Sequence, residues 1–258
     1  MLCKTKVNVR QIHQLINSKI YPIDNHRSSD YQNLISNSRK QFIDTGCLYL
    51  PHFLTQQTVV NVRNEINQIL INSSNELFQS VVQHTENLYE TSANQLNENE
   101  TSSKTIIAYD QIPLNSLLRR IYLSNHLIDF LRDIIQIYPK LYPSRDPLGA
   151  LYVNIYRQSD QLNWHKDHSH FFVNLLFQQS TEGIFQYKIN ENSPIISRND
   201  FQSGGLVLFN GRAYSHRITR ISQSNQSRIN AILTYDCHDR HVLSDYVSQK
   251  FFGRISKK

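Results

Sequence analysis

The segment Asn163-Trp164-His165-Lys166-Asp167 contains two residues of metal-binding type, separated by a single residue. Residues two apart in an extended strand project from the same face, so His165 and Asp167 can direct an imidazole and a carboxylate at one point. The motif alone is a weak signal in a chain with 11 histidines. A third ligand has to come from another part of the chain.

His216 is the candidate for this third ligand. It lies 51 residues after His165, at the start of another stretch with the composition of a strand. Two histidines and one carboxylate on one face of a metal form the ligand set of non-haem Fe(II) oxygenases, which keeps coordination positions open. The pattern therefore predicts an Fe(II) site that can take a bidentate 2-oxoacid and O₂.

Arg228 strengthens this interpretation. It follows His216 by 12 residues and lies in the next strand candidate. A 2-oxoacid with a distal carboxylate needs a fixed cation beyond the metal, and arginine can grip a carboxylate through two parallel hydrogen bonds. The ordered set of His-x-Asp, distal His and downstream Arg predicts 2-oxoglutarate as the co-substrate.

The charge of the chain gives little support for a nucleic-acid partner. There are 27 Lys and Arg residues against 21 Asp and Glu residues, a net charge of +6. A basic surface can attract nucleic acid or acidic metabolites, but here the positive residues are scattered along the chain. We therefore expect a basic enzyme with a small-molecule substrate, and the sequence leaves its oligomeric state open.

Cysteine usage and apolar runs bear on the compartment. The three cysteines, Cys3, Cys47 and Cys237, are odd in number and widely spaced, which does not favour a disulfide framework or a zinc site. No apolar signal region is visible in Met1 to Arg10, and the longest apolar runs are too short to span a bilayer. These features predict a cytoplasmic protein without a membrane partner.

The second half of the chain has the pattern of short β-strands. Runs rich in β-branched and aromatic residues alternate with polar or glycine-containing turns, and side chains within several runs alternate between two faces. The runs are Leu151 to Tyr156, Phe171 to Gln178, Ile184 to Ile189, Leu206 to Asn210, His216 to Ile221 and Arg228 to Asp236. This spacing predicts a jelly roll or cupin-like barrel.

The first half has the pattern of helices. Residues 1–140 are predicted to be mainly helical, with a helix from about Ser28 to Asp44 and another that begins at the N-cap Thr55. A polar stretch near 89–104 predicts a surface loop. The sequence as a whole, 1–258, predicts a single α+β domain, in which the helices buttress a barrel formed by residues 147–258.

The stretch from Asp146 to Gly253 resembles a branch of the Fe(II)/2-oxoglutarate dioxygenases, the one that contains the free-amino-acid radical halogenases and their hydroxylase relatives. The matching blocks, in order, are DPLGALYVNIYRQSDQLNWHKD, FFVNLLFQ, GIFQY, GGLVLFNGRAYSHRITRI, SRINAILTYD and FFGR. An upstream block, IAYDQIPLNSLLRRIY, is also similar. The resemblance covers a little over half of the chain, and the residues upstream resemble the family only in coarse layout.

The resemblance implies a double-stranded β-helix with Fe(II) at its wider mouth. By motif position it implies His165, Asp167 and His216 as the metal ligands and Arg228 as the residue that binds 2-oxoglutarate. Halogenases of this branch lack the carboxylate ligand and hold chloride in its place. Because Asp167 is present, the resemblance implies hydroxylation of an unactivated C–H bond, in a free amino acid or a derivative.

Several further residues are candidates for binding roles. Asn154 and Tyr156 share one face of a strand and could hydrogen-bond 2-oxoglutarate. Asp110, His168 and Arg212 are candidates for contacts with the substrate. Two sets of residues are expected to be structural only: the turn glycines Gly204, Gly205 and Gly211, and Phe251-Phe252-Gly253 as a C-terminal strand or cap.

Two other functions remain open at this point. One is a protein or nucleic-acid hydroxylase or demethylase on the same core, although no basic stripe or aromatic stacking cluster is visible. The other is a cupin-like binding module without catalytic activity, because one barrel fold can carry many functions.

Overall fold

A computed structural model describes residues 13–73, 76–83, 101–223, 226–239 and 242–255. Residues 84–100 lie outside these ranges, and with them most of the polar stretch that the sequence predicts to be a loop. The helices are α1 (Ser29–Thr45), α2 (Gln56–Asn72), α3 (Leu117–Tyr122), α4 (Asn125–Ile135) and α5 (Asp245–Phe252), with a short 3-10 helix at Tyr109–Gln111.

Helices α1 and α2 begin at the N-caps that the sequence predicts, and α1 also ends where predicted. The Ser28 hydroxyl accepts a hydrogen bond from the Tyr31 N–H at the start of α1, and the Thr55 hydroxyl does the same for the Thr58 N–H in α2. These side chains satisfy N–H groups that have no partner inside the helix. Gly46 ends α1 with a φ of 67°, a left-handed conformation that glycine adopts without strain.

Thirteen strands occur in the described residues, and the strands of each sheet are antiparallel. They are β1 (Cys47–Leu50), β2 (Phe78–Gln83), β3 (Thr101–Ile107), β4 (Tyr142–Pro143), β5 (Leu151–Tyr156), β6 (Leu162–His165), β7 (Phe172–Gln178), β8 (Phe185–Lys188), β9 (Ile196–Arg198), β10 (Leu206–Phe209), β11 (Ser215–Ile218), β12 (Arg228–Leu233) and β13 (Tyr235–Asp236). A large sheet has the order β1-β10-β7-β12-β5-β3-β2, and a small sheet has the order β6-β11-β8-β9.

The two faces of the large sheet are covered by different partners. One face packs on α1, α2, α3 and α4 through a large apolar core, to which strand β5 contributes Leu151, Val153 and Ile155. The opposite face meets the small sheet through a second, aromatic cluster that includes Phe185, Phe209 and Tyr156. This arrangement confirms the predicted α+β fold: a double-stranded β-helix that N-terminal helices buttress.

Residues 78–83 and 101–107 differ from the sequence prediction. The helical pattern and the polar stretch predicted no strand there, yet β2 and β3 extend the large sheet beyond β5. Thr105, Ile106 and Ile107 pair with β5, so an existing sheet edge satisfies the backbone of a segment whose own sequence is largely polar. Residues 101–104 are consequently strand, and the prediction of a loop there was wrong.

The C-terminal block Phe251-Phe252-Gly253 was expected to be a strand or a cap packed on the barrel, and it is not a strand, although Phe252 does pack on the large sheet against Ile106 and Tyr152. The block forms the end of helix α5, and Gly253 ends the helix with a φ of 70°. Helix α5 packs beside β2, where Gly253 lies against the ring of Phe78. Of the helices in the described ranges, none is long and apolar enough to cross a membrane.

Candidate metal centre

His165, Asp167 and His216 come together where β6 and β11 pair. His165 is the last residue of β6 and lies directly opposite His216 of β11 in the antiparallel register. Directly opposed residues point to the same face of a sheet, so both imidazoles project into the same space. Asp167 lies two residues beyond the end of β6, where its backbone N–H donates to the carbonyl of Gly211 at 2.9 Å.

The donor atoms are close enough to share one ion. Nε2 of His165 lies 3.6 Å from Oδ1 of Asp167, and Nε2 of His216 lies 3.6 Å from Oδ2. All three donors fall within 4.8 Å of one another. Metal–ligand bonds of about 2.1 Å separate neighbouring donors by roughly 3 to 3.6 Å, so the observed spacing fits a single cation.

Backbone carbonyls set the orientation of both imidazoles. Nδ1 of His165 lies 2.7 Å from the carbonyl oxygen of Asn163, and Nδ1 of His216 lies 3.2 Å from that of Tyr214. A carbonyl oxygen only accepts hydrogen bonds, so each Nδ1 carries the proton and each Nε2 presents a lone pair to the centre. This is the tautomer that a metal ligand needs.

Gly211 makes room for the carboxylate ligand. A Cβ atom at Gly211 would lie 2.1 Å from Oδ2 of Asp167, much closer than any contact a side chain can make. The carboxylate therefore reaches the centre only because this position has no side chain. Gly211 lies in a turn, as expected, and in addition its missing side chain leaves the space that Asp167 occupies.

Aromatic rings from both sheets enclose the centre on the side of His216. The rings of Phe172, Phe185 and Phe209 lie 5.4, 5.9 and 5.1 Å from the ring of His216, measured between centroids. His216 is consequently 3% exposed, whereas the Asp167 side chain is 28% exposed. Solvent and small molecules therefore approach the centre from the side of Asp167.

A cavity of about 280 Å³ opens onto the three ligands. Asn154 and Tyr156 line it from strand β5, as the sequence predicts for residues on a common face. Burial raises the pKa of the Tyr156 hydroxyl, which therefore stays protonated and able to donate. Oδ1 of Asn154 is buried and has no hydrogen-bond partner in the described part of the chain, so it is available to a ligand.

Several solved structures are similar to this chain. An oxidoreductase of the 2OG-Fe(II) oxygenase family from Burkholderia pseudomallei has a TM-score of 0.57 at 12% identity, over 80% of this chain and 92% of that one. The non-heme alpha ketoglutarate dependent carbocyclase SnoK from nogalamycin biosynthesis also scores 0.57 at 12% identity, with coverages of 88% and 95%. A prolyl-4-hydroxylase from Pseudomonas putida scores 0.51 at 13% identity, with coverages of 77% and 97%.

The fold is that of the 2OG-Fe(II) oxygenases. No family model matches the sequence, and no curated protein matches it. The similar structures include a carbocyclase and a prolyl hydroxylase, which catalyse different reactions on different substrates. The fold alone therefore does not determine the substrate or the reaction outcome of this chain, because both depend on the residues of the site.

Arg228 lies deep beside the cavity in this oxygenase fold. It pairs in register with Tyr156, and its side chain is buried outside the cavity lining. Nη1 donates to Oε1 of Gln179, while Nε and Nη2 have no hydrogen-bond partner among the residues described. Burial lowers the pKa of Arg228 to about 10, which leaves the guanidinium charged at neutral pH.

The candidates for substrate contacts are placed differently from one another. His168 lies at the exposed rim of the cavity. Arg212 lies outside the lining, where its guanidinium donates to the backbone carbonyl of His168 and lies 3.0 Å from the ring of His170. Asp110 also lies outside it and forms a 2.6 Å ion pair with Arg254. The structure thus brings only His168 of these three to the cavity.

Two parts of the cavity wall were missed by sequence reasoning. Lys104 lines it from β3, within the stretch predicted to be a loop. Helix α5 lines it with residues that include Phe251 and Phe252, which were expected to pack away from the substrate. The run Thr105-Ile106-Ile107 was the available signal for β3, because β-branched residues favour strands.

A second group of metal-binding residue types, Asp236, Cys237 and His238, also has donor atoms within 4.8 Å of one another. These residues are consecutive and lie near the surface, and the side chain of His238 is 83% exposed. Nδ1 of His238 lies 3.1 Å from Oδ1 of Asp236, which explains their proximity without an ion. The centre at His165 is different because it joins separate strands around an enclosed cavity.

Proposed function

We propose that this protein is a non-haem Fe(II)- and 2-oxoglutarate-dependent oxygenase. The observation that carries the proposal is the convergence of two imidazole Nε2 atoms and one carboxylate, with both Nδ1 atoms held by backbone carbonyls. Two histidines and one carboxylate with open positions are the donor set that suits Fe(II) and O₂. His165, Asp167 and His216 would hold the iron.

Arg228 fits the distal carboxylate of 2-oxoglutarate. It is a buried cation with two N–H-bearing nitrogens that lack partners in the described residues, a state that costs free energy until a ligand satisfies it. A carboxylate would accept both hydrogen bonds from the guanidinium fork. The hydroxyl of Tyr156, directly beside Arg228 in the sheet, would donate a further one, and Asn154 completes this side of the pocket.

When bound, Fe(II), 2-oxoglutarate and O₂ supply the oxidising power for attack on a C–H bond. The residues of this chain bind and orient the reactants. Arg228 fixes one end of the co-substrate, and the ligand face at Asp167 stays open toward the cavity. Phe172, Phe185 and Phe209 keep water from the imidazoles, and the cavity walls hold a substrate C–H near the centre.

The proposed reaction is hydroxylation. One oxygen atom of O₂ enters the substrate C–H bond and the other enters succinate, while 2-oxoglutarate loses CO₂. The carboxylate of Asp167 occupies the position where halogenases of the resembled branch hold chloride, which favours hydroxylation over chlorination. A cavity of about 280 Å³ suits a small substrate, and we propose a free amino acid or a derivative.

Anaerobic titration tests this proposal. Fe(II) and then 2-oxoglutarate are added to the purified protein, and the visible absorption band of the iron complex is followed. We expect one iron and one 2-oxoglutarate per chain, and succinate formation once O₂ is admitted. A protein that binds neither iron nor 2-oxoglutarate would contradict the proposal. A protein that binds both but forms no succinate with any small carboxylic or amino acid is a binding module instead.

A further inference from the structure

Lys104 is a cation in the cavity that the proposed chemistry does not use. It lies in β3 and lines the cavity, and its side chain is partly buried. Its Nζ lies 6.0 Å from the centroid of the Tyr156 ring. Among the described residues it has no hydrogen-bond or ion-pair partner. A partly buried ammonium in this state needs a negative partner.

Lys104 and Arg228 lie on either side of Tyr156 on one face of the large sheet. Arg228 is the register partner of Tyr156 across β12 and β5. On the other side, Thr105 pairs with Ile155, which places Lys104 next to Tyr156 across β3 and β5. Strands are about 4.8 Å apart, so the backbones of the two cations are separated by roughly 10 Å. Two long side chains at this separation can share one carboxylate or bind one each, so the balance of charge decides between these two cases.

The balance of charge between the metal centre, Arg228 and 2-oxoglutarate indicates what kind of group Lys104 binds. Fe(II) with two neutral imidazoles and one carboxylate has a net charge of +1, and Arg228 adds another. The two carboxylates of 2-oxoglutarate neutralise both. Lys104 then remains as an uncompensated positive charge, because Asp167 is the only acidic residue among the described residues that line the cavity. The exposed Lys166 and the half-buried Lys250 also line it, but of the three lysines it is Lys104 that lies beside Tyr156 in the large sheet.

We propose that Lys104 binds a carboxylate of the substrate, so that the enzyme acts on carboxylic acids. This inference rests on the proposed oxygenase function, and it names the end of the substrate that the protein holds. Burial lowers the pKa of Lys104 to about 8, while the nearby Asp167 carboxylate opposes this shift. The ammonium is therefore charged at neutral pH, and a poorly solvated cation forms stronger charge-assisted hydrogen bonds.

The polar groups near Lys104 are compatible with a carboxylic acid that also carries a hydrogen-bond donor. Ser80 is the register partner of Lys104 in β2 and lines the same cavity. Asn154 lies two residues before Tyr156 on the same strand and face, and its Oδ1 lacks a partner in the described ranges. An amino acid could place its carboxylate on Lys104 and donate from its ammonium to this oxygen.

The test compares acids with their amides. The wild-type complex with Fe(II) and 2-oxoglutarate is titrated anaerobically with free L-amino acids and short aliphatic carboxylic acids, each beside its primary amide. The absorption band of the iron complex reports binding. We expect at least one acid to perturb the band, with its amide about 10- to 100-fold weaker, as for the loss of one charge-assisted hydrogen bond.

Variants of Lys104 test whether this residue causes the preference for the acid over the amide. Lys104→Met should remove the preference for the acid over the amide, and Lys104→Arg should restore it in part. Lys40→Met removes the same charge from an exposed position on α1, and it should keep the full preference. If no acid in the panel perturbs the wild-type band, or if Lys104→Met keeps the preference, the inference is wrong.

The affinity for 2-oxoglutarate separates this inference from the proposed function. If the wild type forms no complex with iron and 2-oxoglutarate, the proposed function fails first. If that complex forms and Lys104→Met weakens 2-oxoglutarate as much as Arg228→Met does, Lys104 binds the co-substrate and the inference is overturned. We expect Lys104→Met to change the affinity for 2-oxoglutarate less than threefold, so that only substrate binding is lost.

Discussion

His165 and His216 are direct cross-strand neighbours in the antiparallel pair of β6 and β11, with ring centroids 4.1 Å apart. The sheet register therefore holds both imidazoles, and only the carboxylate depends on a loop, the one that follows β6. Because each imidazole is fixed by a backbone carbonyl, the nitrogen donors are organised before a metal arrives.

Replacement of one of these imidazoles should abolish both metal binding and turnover. His216→Ala leaves two ligands, so we expect Fe(II) affinity to fall by more than about 100-fold and succinate formation to disappear. Iron content after dialysis and succinate release measure the two effects. His238→Ala is the matched control, since it removes an imidazole from the other candidate cluster, and it should retain one iron per chain. If His238→Ala loses its iron instead, the metal binds at Asp236, Cys237 and His238 and not at the proposed centre.

A methyl group at Gly211 should displace the carboxylate ligand without touching the histidines. The Cβ of Gly211→Ala would lie 2.1 Å from Oδ2 of Asp167, so Asp167 has to move. We expect Fe(II) affinity to fall by about 10- to 100-fold while the fold persists, measured by iron titration and by circular dichroism. Ala213→Ser, at an exposed position of the same turn, should bind iron like the wild type. Unchanged iron affinity in Gly211→Ala would contradict the placement of the carboxylate.

Much of the fold could be predicted because its signals are local. The alternation of Leu151, Val153 and Ile155 with polar partners is visible within one strand, and the caps Ser28 and Thr55 precede their helices directly. The candidate ligands were also visible, because a His-x-Asp motif and a later His lie in stretches with strand composition. These predictions needed no knowledge of which strand lies beside which.

The features that were missed depend on contacts between distant segments. Gly211 matters because Asp167, far away in the sequence, packs against it. Lys104 reaches the cavity because β3 adds to the edge of β5, and a polar segment gives little indication of this pairing. Helix α5 lines the cavity because it packs beside β2. None of these neighbours can be read from a periodicity within one segment.

Arg228→Met should weaken 2-oxoglutarate binding with little effect on the metal. The variant loses a buried cation with two available N–H groups, so we expect the Kd for 2-oxoglutarate to rise on the order of 100-fold. Anaerobic titration followed by the absorption band measures this Kd, and iron content should stay unchanged. Arg63→Met, which removes an exposed arginine that donates to Gln178, is the control and should bind 2-oxoglutarate normally. Equal affinities in all three proteins would exclude Arg228 as the co-substrate residue.

Lys104 should make the stability of the protein depend on pH in a defined direction. Its pKa is lowered by burial from 10.5 to about 8, so between these pH values the unfolded chain is protonated at this residue and the folded chain is not. The free energy of unfolding therefore rises with pH across this window, because the unfolded state binds the additional proton. Relative to Lys104→Met, the wild type should gain up to about 3 kcal/mol, an upper bound for a partly exposed group.

Urea unfolding of the wild type and of Lys104→Met at pH values below 8 and up to 10.5 measures this difference. Lys40→Met provides a control that should stay flat over this range. Hydrogen bonding to Asp44 raises the pKa of Lys40 above 10.5, so its stabilising contribution is fully present below pH 10.5 and is lost only at higher pH. The difference in unfolding free energy between wild type and Lys104→Met should therefore rise with pH, whereas the difference between wild type and Lys40→Met should stay constant. Parallel pH profiles for wild type and Lys104→Met would mean that Lys104 is solvated rather than held in the cavity.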